Sequence, residues 1–234
     1  MVTLHAGATL DRPPGPKYRA DLHFAELSLA APLPRPTTMA RWRDEAGSSF
    51  RLSLVAPRPT MISARGPLRF DESLEDAVGW LWEVADALDV FAVVFPTGPE
   101  VTTGQRDRDR LAAYFDRFPR QGGRSLVWAP TGLWEPEMAV PQAQALGLVY
   151  GFDPLETPAP SGELAYGRLR AVGGRQRFGE GMLHDAYETM AASGADDAYV
   201  AIESGRSHRE ALALQRLASE MDAEAAEETA PEGG

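Results

Sequence analysis

Phe91-Ala92-Val93-Val94-Phe95 is apolar at every position and runs straight into Pro96-Thr97-Gly98-Pro99, a stretch that breaks regular structure. A strand with one wet face alternates polar and apolar side chains, whereas a strand covered on both faces does not. This segment therefore reads as a strand with helices on both sides of its sheet. Amphipathic helices flank it. Before it, Leu74, Ala77, Val78, Leu81, Trp82, Ala85 and Leu88 recur at helical spacing behind Ser73, the expected cap. After it, residues 106–118 gather Leu111, Tyr114, Phe115 and Phe118 on one face.

The same alternation extends in both directions. Strands are expected at residues 2–6, 23–29, 50–55, 90–95, 125–128, 146–152, 164–169 and 198–202. Further helices are expected at residues 37–46, 137–146, 181–192 and 207–221. Strand then helix, repeated, is the parallel α/β pattern, and eight strands favour a closed (β/α)8 TIM-barrel-like fold over an open sheet, although spacing does not fix closure. A chain of 234 residues suits one such domain. The first unit is irregular: Pro13, Pro14 and Pro16 leave its crossover helix short or missing. The domain is expected to span residues 1–219, with residues 220–234 forming a disordered acidic tail.

Composition excludes several functions. The chain has no cysteine, which removes disulfides, thiolate nucleophiles and zinc–sulfur sites. His5, His23, His184 and His208 are scattered, so neither a metal site nor another cofactor is expected. The glycines around 173–181 are not followed by Gly-Lys-Ser/Thr, and no Gly-x-Ser-x-Gly occurs. The first residues are too short and polar for a signal peptide, and no apolar run approaches ~18 residues. A cytoplasmic location with no membrane contact is the expectation. Net charge is −11, and removing the six uncompensated acids of residues 220–234 leaves −5. Such a body lacks the positive stripe that a phosphate backbone requires, so nucleic acid is not an expected partner. Oligomeric state is not legible.

Barrels of this class carry function at the C-terminal ends of their strands. The polar and aromatic residues expected there are His5, Glu26, Ser28, Arg58, Thr60, Thr97, Trp128, Asp153, Arg168, Arg170 and Glu203. Glu26 and Asp153 are the catalytic candidates, since two carboxylates in one pocket can divide the donor and acceptor roles. Glu26 paired with Arg168 in a structural ion pair is the alternative. Asp153 precedes Pro154, so a turn role is its alternative. Arg168 and Arg170 share strand parity and could grip an anion together. Trp128 and Trp134 are read either as stacking platforms or as packing, and His5 either as a base or as a satisfied histidine. Arg175, Arg177 and the nearby glycines could add an anion site at a helix N-terminus, or simply form a loop. The expected partner is a small anionic or sugar-like molecule. The alternative is a non-catalytic scaffold that binds a ligand or a protein.

A series of motifs then carries a family resemblance. Phe24-Ala25-Glu26-Leu27-Ser28, Pro34, Met39-Ala40-Arg41-Trp42 and residues 50–57 fall in order, followed by Tyr166-Gly167-Arg168-Leu169-Arg170. Tyr199-Val200-Ala201-Ile202 precedes Arg209-Glu210-Ala211. Together they resemble the YecE-like family over residues 1–219. The resemblance implies a TIM-barrel-like fold and no particular reaction. Glu26, Asp153 and Arg168 keep the family's polar positions. Ser28 stands where the family has asparagine and Val55 where it has lysine. Phe95-Pro96 replaces a glutamine, Trp128-Ala129-Pro130 a Glu-x-Arg pattern, and Glu203-Ser204 an Asn-Asn pair.

Overall fold

The computed structural model describes residues 2–30, 32–119 and 123–228. It opens with β1 (Thr3–Leu10), α1 (Pro16–Asp21), β2 (Phe24–Leu27), α2 (Pro36–Ala46) and β3 (Arg51–Val55). A small hairpin of β4 (Ile62–Ser63) and β5 (Gly66–Pro67) precedes α3 (Glu72–Ala87) and β6 (Ala92–Thr97). Next come α4 (Gln105–Phe115), β7 (Ser125–Pro130), α5 (Pro136–Ala145) and β8 (Val149–Phe152). The chain closes with β9 (Leu164–Arg170), α6 (Glu180–Ala191), β10 (Asp197–Glu203) and α7 (Ser207–Glu228). The eight longer strands form a closed parallel barrel, β10 pairing with β1 to complete it. All eight expected strands are present.

The segment 91–95 explains why its pattern is continuous. Val94 belongs to the barrel's inner cluster with Phe24, Val127, Tyr166 and Tyr199. Val93 and Phe95 point the other way, into the larger core between wall and helices. Phe95 meets Phe115 and Phe118 with ring centroids 5.1 and 5.2 Å apart.

The proline-rich first crossover shapes the barrel wall. α1 has only six residues, with Pro16 in its first turn, where the missing N–H breaks no helical bond. β2 pairs with β1 only from Gly7 onward. Buried backbone groups beside that junction need other partners. Tyr18 of α1 supplies one: its hydroxyl accepts from the Ala8 amide at 2.7 Å and donates to the Phe24 carbonyl at 2.8 Å. Gln215 of α7 accepts from the Ala6 amide at 2.9 Å and donates to the Leu4 carbonyl at 3.1 Å. The wall is thus completed by side chains.

Three boundaries differ from the sequence expectation. α3 is capped by Asp71, whose carboxylate accepts from the Leu74 amide at 3.0 Å, and Ser73 lies inside the helix. β1 continues to Leu10, since β2 pairs with its upper half. α7 continues to Glu228, so the segment expected as tail from residue 220 begins as helix; residues 229–234 lie outside the described residues. No described helix is long and apolar enough to cross a membrane.

Candidate functional site

Strand parity assembles a polar layer inside the barrel. Thr9, Glu26 and Ser53 are register partners on β1, β2 and β3, all facing inward. Glu26 is fully buried. It accepts from Thr9 Oγ1 at 2.9 Å, from Tyr166 Oη at 3.0 Å and from Arg168 of β9 across the barrel. The Arg168 contact is two-pronged: Nη2 to Oε1 at 2.8 Å and Nε to Oε2 at 3.0 Å. Ser53 Oγ lies 2.6 Å from Tyr166 Oη and extends the chain.

The electrostatics follow from this enclosure. Burial works against the Arg168 charge, but the Glu26 carboxylate and its hydrogen bonds more than offset that, raising the guanidinium pKa. Burial, reinforced by the Glu26 charge, pushes the Tyr166 phenol well above its usual range. Glu26 occupies Nε and Nη2 of Arg168; Nη1 has no partner among the described residues.

Arg168 also lines a cavity of about 390 Å3 at the C-terminal ends of β6 to β9. Arg170 and Asp153 line the same cavity, so three of the expected site residues converge there. Arg170 is half-exposed and pairs with Glu203 at 2.8 Å. Asp153 fills the expected turn role, accepting from the Leu155 amide at 2.9 Å. Its other oxygen accepts from Arg175 Nη1 at 3.0 Å, and Arg175 also reaches Glu156 at 3.4 Å. Glu26 and Asp153 are therefore each engaged by a different arginine.

Three placements raised by the sequence do not hold. His5 is not at the end of its strand. Because β1 runs on to Leu10, His5 lies toward the opposite mouth, 3.1 Å from Asp197 at the start of β10 and stacked on Tyr199 at 4.6 Å. Trp128 points outward from β7. It is fully buried, donates from Nε1 to Thr97 Oγ1 at 2.9 Å and meets Trp134 edge-on, leaving no ring face for a ligand. The anion site at the start of α6 does not gather its arginines either, because Arg175 turns back to Asp153. Thr9, Ser53 and Tyr166 are not among the sequence candidates; parity with Arg168 along one strand could have found Tyr166, whereas Thr9 and Ser53 depend on the register between strands. One triad with metal-ligand chemistry, His184, Asp185 and Glu188, occupies a single exposed helix face in an ordinary i, i+4 arrangement.

No protein-family model matches the chain, and no curated protein does. Solved structures do. A DUF72 family protein from Enterococcus faecalis superposes with a TM-score of 0.67 at 13% identity, over 94% of this chain and 98% of that one. A DUF72 family protein from Thermotoga maritima gives 0.62 at 12% identity, over 86% and 85%. A protein named SacUVDE gives 0.61 at 11% identity, over 88% and 83%. Likeness at this identity establishes the TIM-barrel-like fold.

Proposed function

We propose that this chain is a divergent member of the YecE-like, or DUF72, family that binds a small anion at the C-terminal mouth of the barrel. The single observation that carries the reading is Arg168. Glu26 holds its guanidinium in place by one edge, and Nη1, which has no partner among the described residues, belongs to a residue lining the 390 Å3 cavity. A pre-oriented N–H edge needs no reorganisation to donate to a carboxylate or phosphate oxygen. Arg170, two residues on and held by Glu203 through Nε, adds a second guanidinium on the same wall. The loops after the seventh and eighth strands are a recurrent anion site in such barrels, and Arg170 ends the seventh. The ordered motifs and the barrel likeness support the family assignment.

The reading is one of binding rather than proton transfer. Glu26 is enclosed by Thr9, Tyr166 and Arg168, and Asp153 by Arg175 and a turn. A general base needs a lone pair free to reach the substrate. Thermal-shift titration with inorganic phosphate and with acetate tests the proposal. Either anion is expected to raise the melting temperature. Arg170→Gln, on the exposed rim, is expected to weaken binding about ten- to hundredfold, the worth of one charge-assisted hydrogen bond. An unmoved melting temperature with both anions, or equal binding by the variant, overturns it.

A further inference from the structure

A second cavity opens on the same face. It measures about 600 Å3 and lies above the ends of β2, β3 and β6. Its lining is less charged than that of the first cavity, where Arg168 and Arg170 stand with Glu135, Asp153 and Glu156. Leu29, Leu33, Val55, Met61, Ile62 and Val101 line it together with a set of prolines, and its charged residues, Arg58 and Glu100, are exposed at the rim. Pro96, on the inward face of β6, lines both cavities, so the two meet across the barrel mouth.

The apolar cavity has fixed walls. Tyr114 of α4 donates to the Thr60 carbonyl at 2.7 Å, and Trp80 of α3 donates to the Pro34 carbonyl at 3.0 Å. Ser63 Oγ closes the hairpin turn onto the Arg69 carbonyl at 2.7 Å. Pro57, Pro59 and Pro67 further restrict the backbone around it. A rigid apolar recess keeps its shape when empty, so filling it with hydrocarbon gains burial at little ordering cost.

We infer that the ligand is an amphipathic anion: its carboxylate or phosphate head rests on Arg168 and Arg170, and its hydrocarbon body crosses Pro96 into the proline-walled cavity. This rests on the anion reading above and adds the chemical class of the rest of the molecule. A head alone would leave the larger cavity unused, and a neutral hydrocarbon would leave the open Arg168 edge unmatched.

Calorimetric titration separates the two claims. The probes are butanoate, octanoate, octyl phosphate and octanol, each against wild type, Arg170→Gln and Leu33→Glu. Leu33 is half-buried in a loop, and circular dichroism with a melting curve checks that the variant folds. Burying one methylene is worth roughly a fourfold gain in affinity, so octanoate should exceed butanoate by on the order of a hundredfold. Leu33→Glu should abolish most of that gain and leave butanoate unaffected, and Arg170→Gln should weaken both anions. Octanoate against octyl phosphate identifies the head. Equal affinity for butanoate and octanoate overturns the two-part ligand while leaving the anion site intact. Octanol binding as tightly as octanoate overturns both, as does the absence of binding by any probe.

Discussion

Arg168 and Glu26 are the residues whose roles the barrel couples most tightly. A buried ion pair is costly to form and costlier to break, since removing one partner strands the other charge in a dry interior. Arg168→Ala is therefore expected to lower unfolding free energy by about 3–5 kcal/mol, read from urea denaturation. The double variant Glu26→Gln, Arg168→Met should lose less than the sum of the single changes, because it leaves no unpaired charge. A loss below ~1 kcal/mol for Arg168→Ala would mean that the pair is solvated. His5 belongs at this scale too. It sits at the far mouth, so His5→Ala should leave anion affinity at the arginine cavity unchanged by calorimetry. A tenfold loss would contradict its placement beside Asp197 and Tyr199.

Among the elements, β1 and β2 meet where the first crossover is shortest. Gly7 approaches so closely that a β-carbon there would lie 2.4 Å from the Phe24 carbonyl oxygen, which is backbone and cannot step aside. Gly7→Ala should therefore disturb the β1–β2 pairing. Amide exchange at Ala8 and Leu27 is expected to accelerate, whereas Gly181→Ala, which meets open space, should leave it unchanged. Tyr18 serves the same junction from α1. Tyr18→Phe keeps the ring but leaves the buried Ala8 amide and the Phe24 carbonyl without this partner, at a cost of about 1–3 kcal/mol for each group unsatisfied. Stability indistinguishable from wild type in urea would show that another partner replaces the hydroxyl.

For the whole molecule, the two mouths of the barrel differ. Phe24, Phe91 and Tyr199 pack together toward the N-terminal mouth, with Phe91 and Tyr199 centroids 4.2 Å apart and Arg51 over Phe91. The other mouth carries both cavities. The buried phenols also give the molecule an alkaline limit. Tyr18, Tyr114 and Tyr166 are each raised above the ordinary value near 10, chiefly by burial. In the unfolded chain they ionise near pH 10 while the folded state keeps their protons. Their contribution is therefore complete below pH 10 and is lost progressively above it. The melting temperature should fall steeply from pH 10 upward, and less steeply in Tyr166→Phe. Parallel curves for the two proteins would remove Tyr166 from that account.

Local pattern was sufficient for the order of strands and helices, which favours a barrel. The continuous apolar run at residues 91–95 needs cover on two faces, the helical spacing of Leu74 to Leu88 supplies part of it, and the prolines at 13, 14 and 16 shorten the first crossover. Each is a property of neighbours along the chain, so each was legible without coordinates. Parity likewise put Arg168 and Arg170 on one face, because alternation is built into any strand. What lies opposite in space was not legible. The partnership of Glu26 with Arg168 was one of two readings, and the two residues are 142 positions apart. Trp128 could face a ligand or a helix until the barrel turned its side of β7 toward the helices, and His5 changed mouths because β1 runs to Leu10. Asp153 could be a base or a turn until Arg175 folded back onto it. Sequence pattern determined which faces are buried; only closure of the barrel, which brings distant strands to hydrogen-bonding distance, decided which buried charges meet and what they leave open to a ligand.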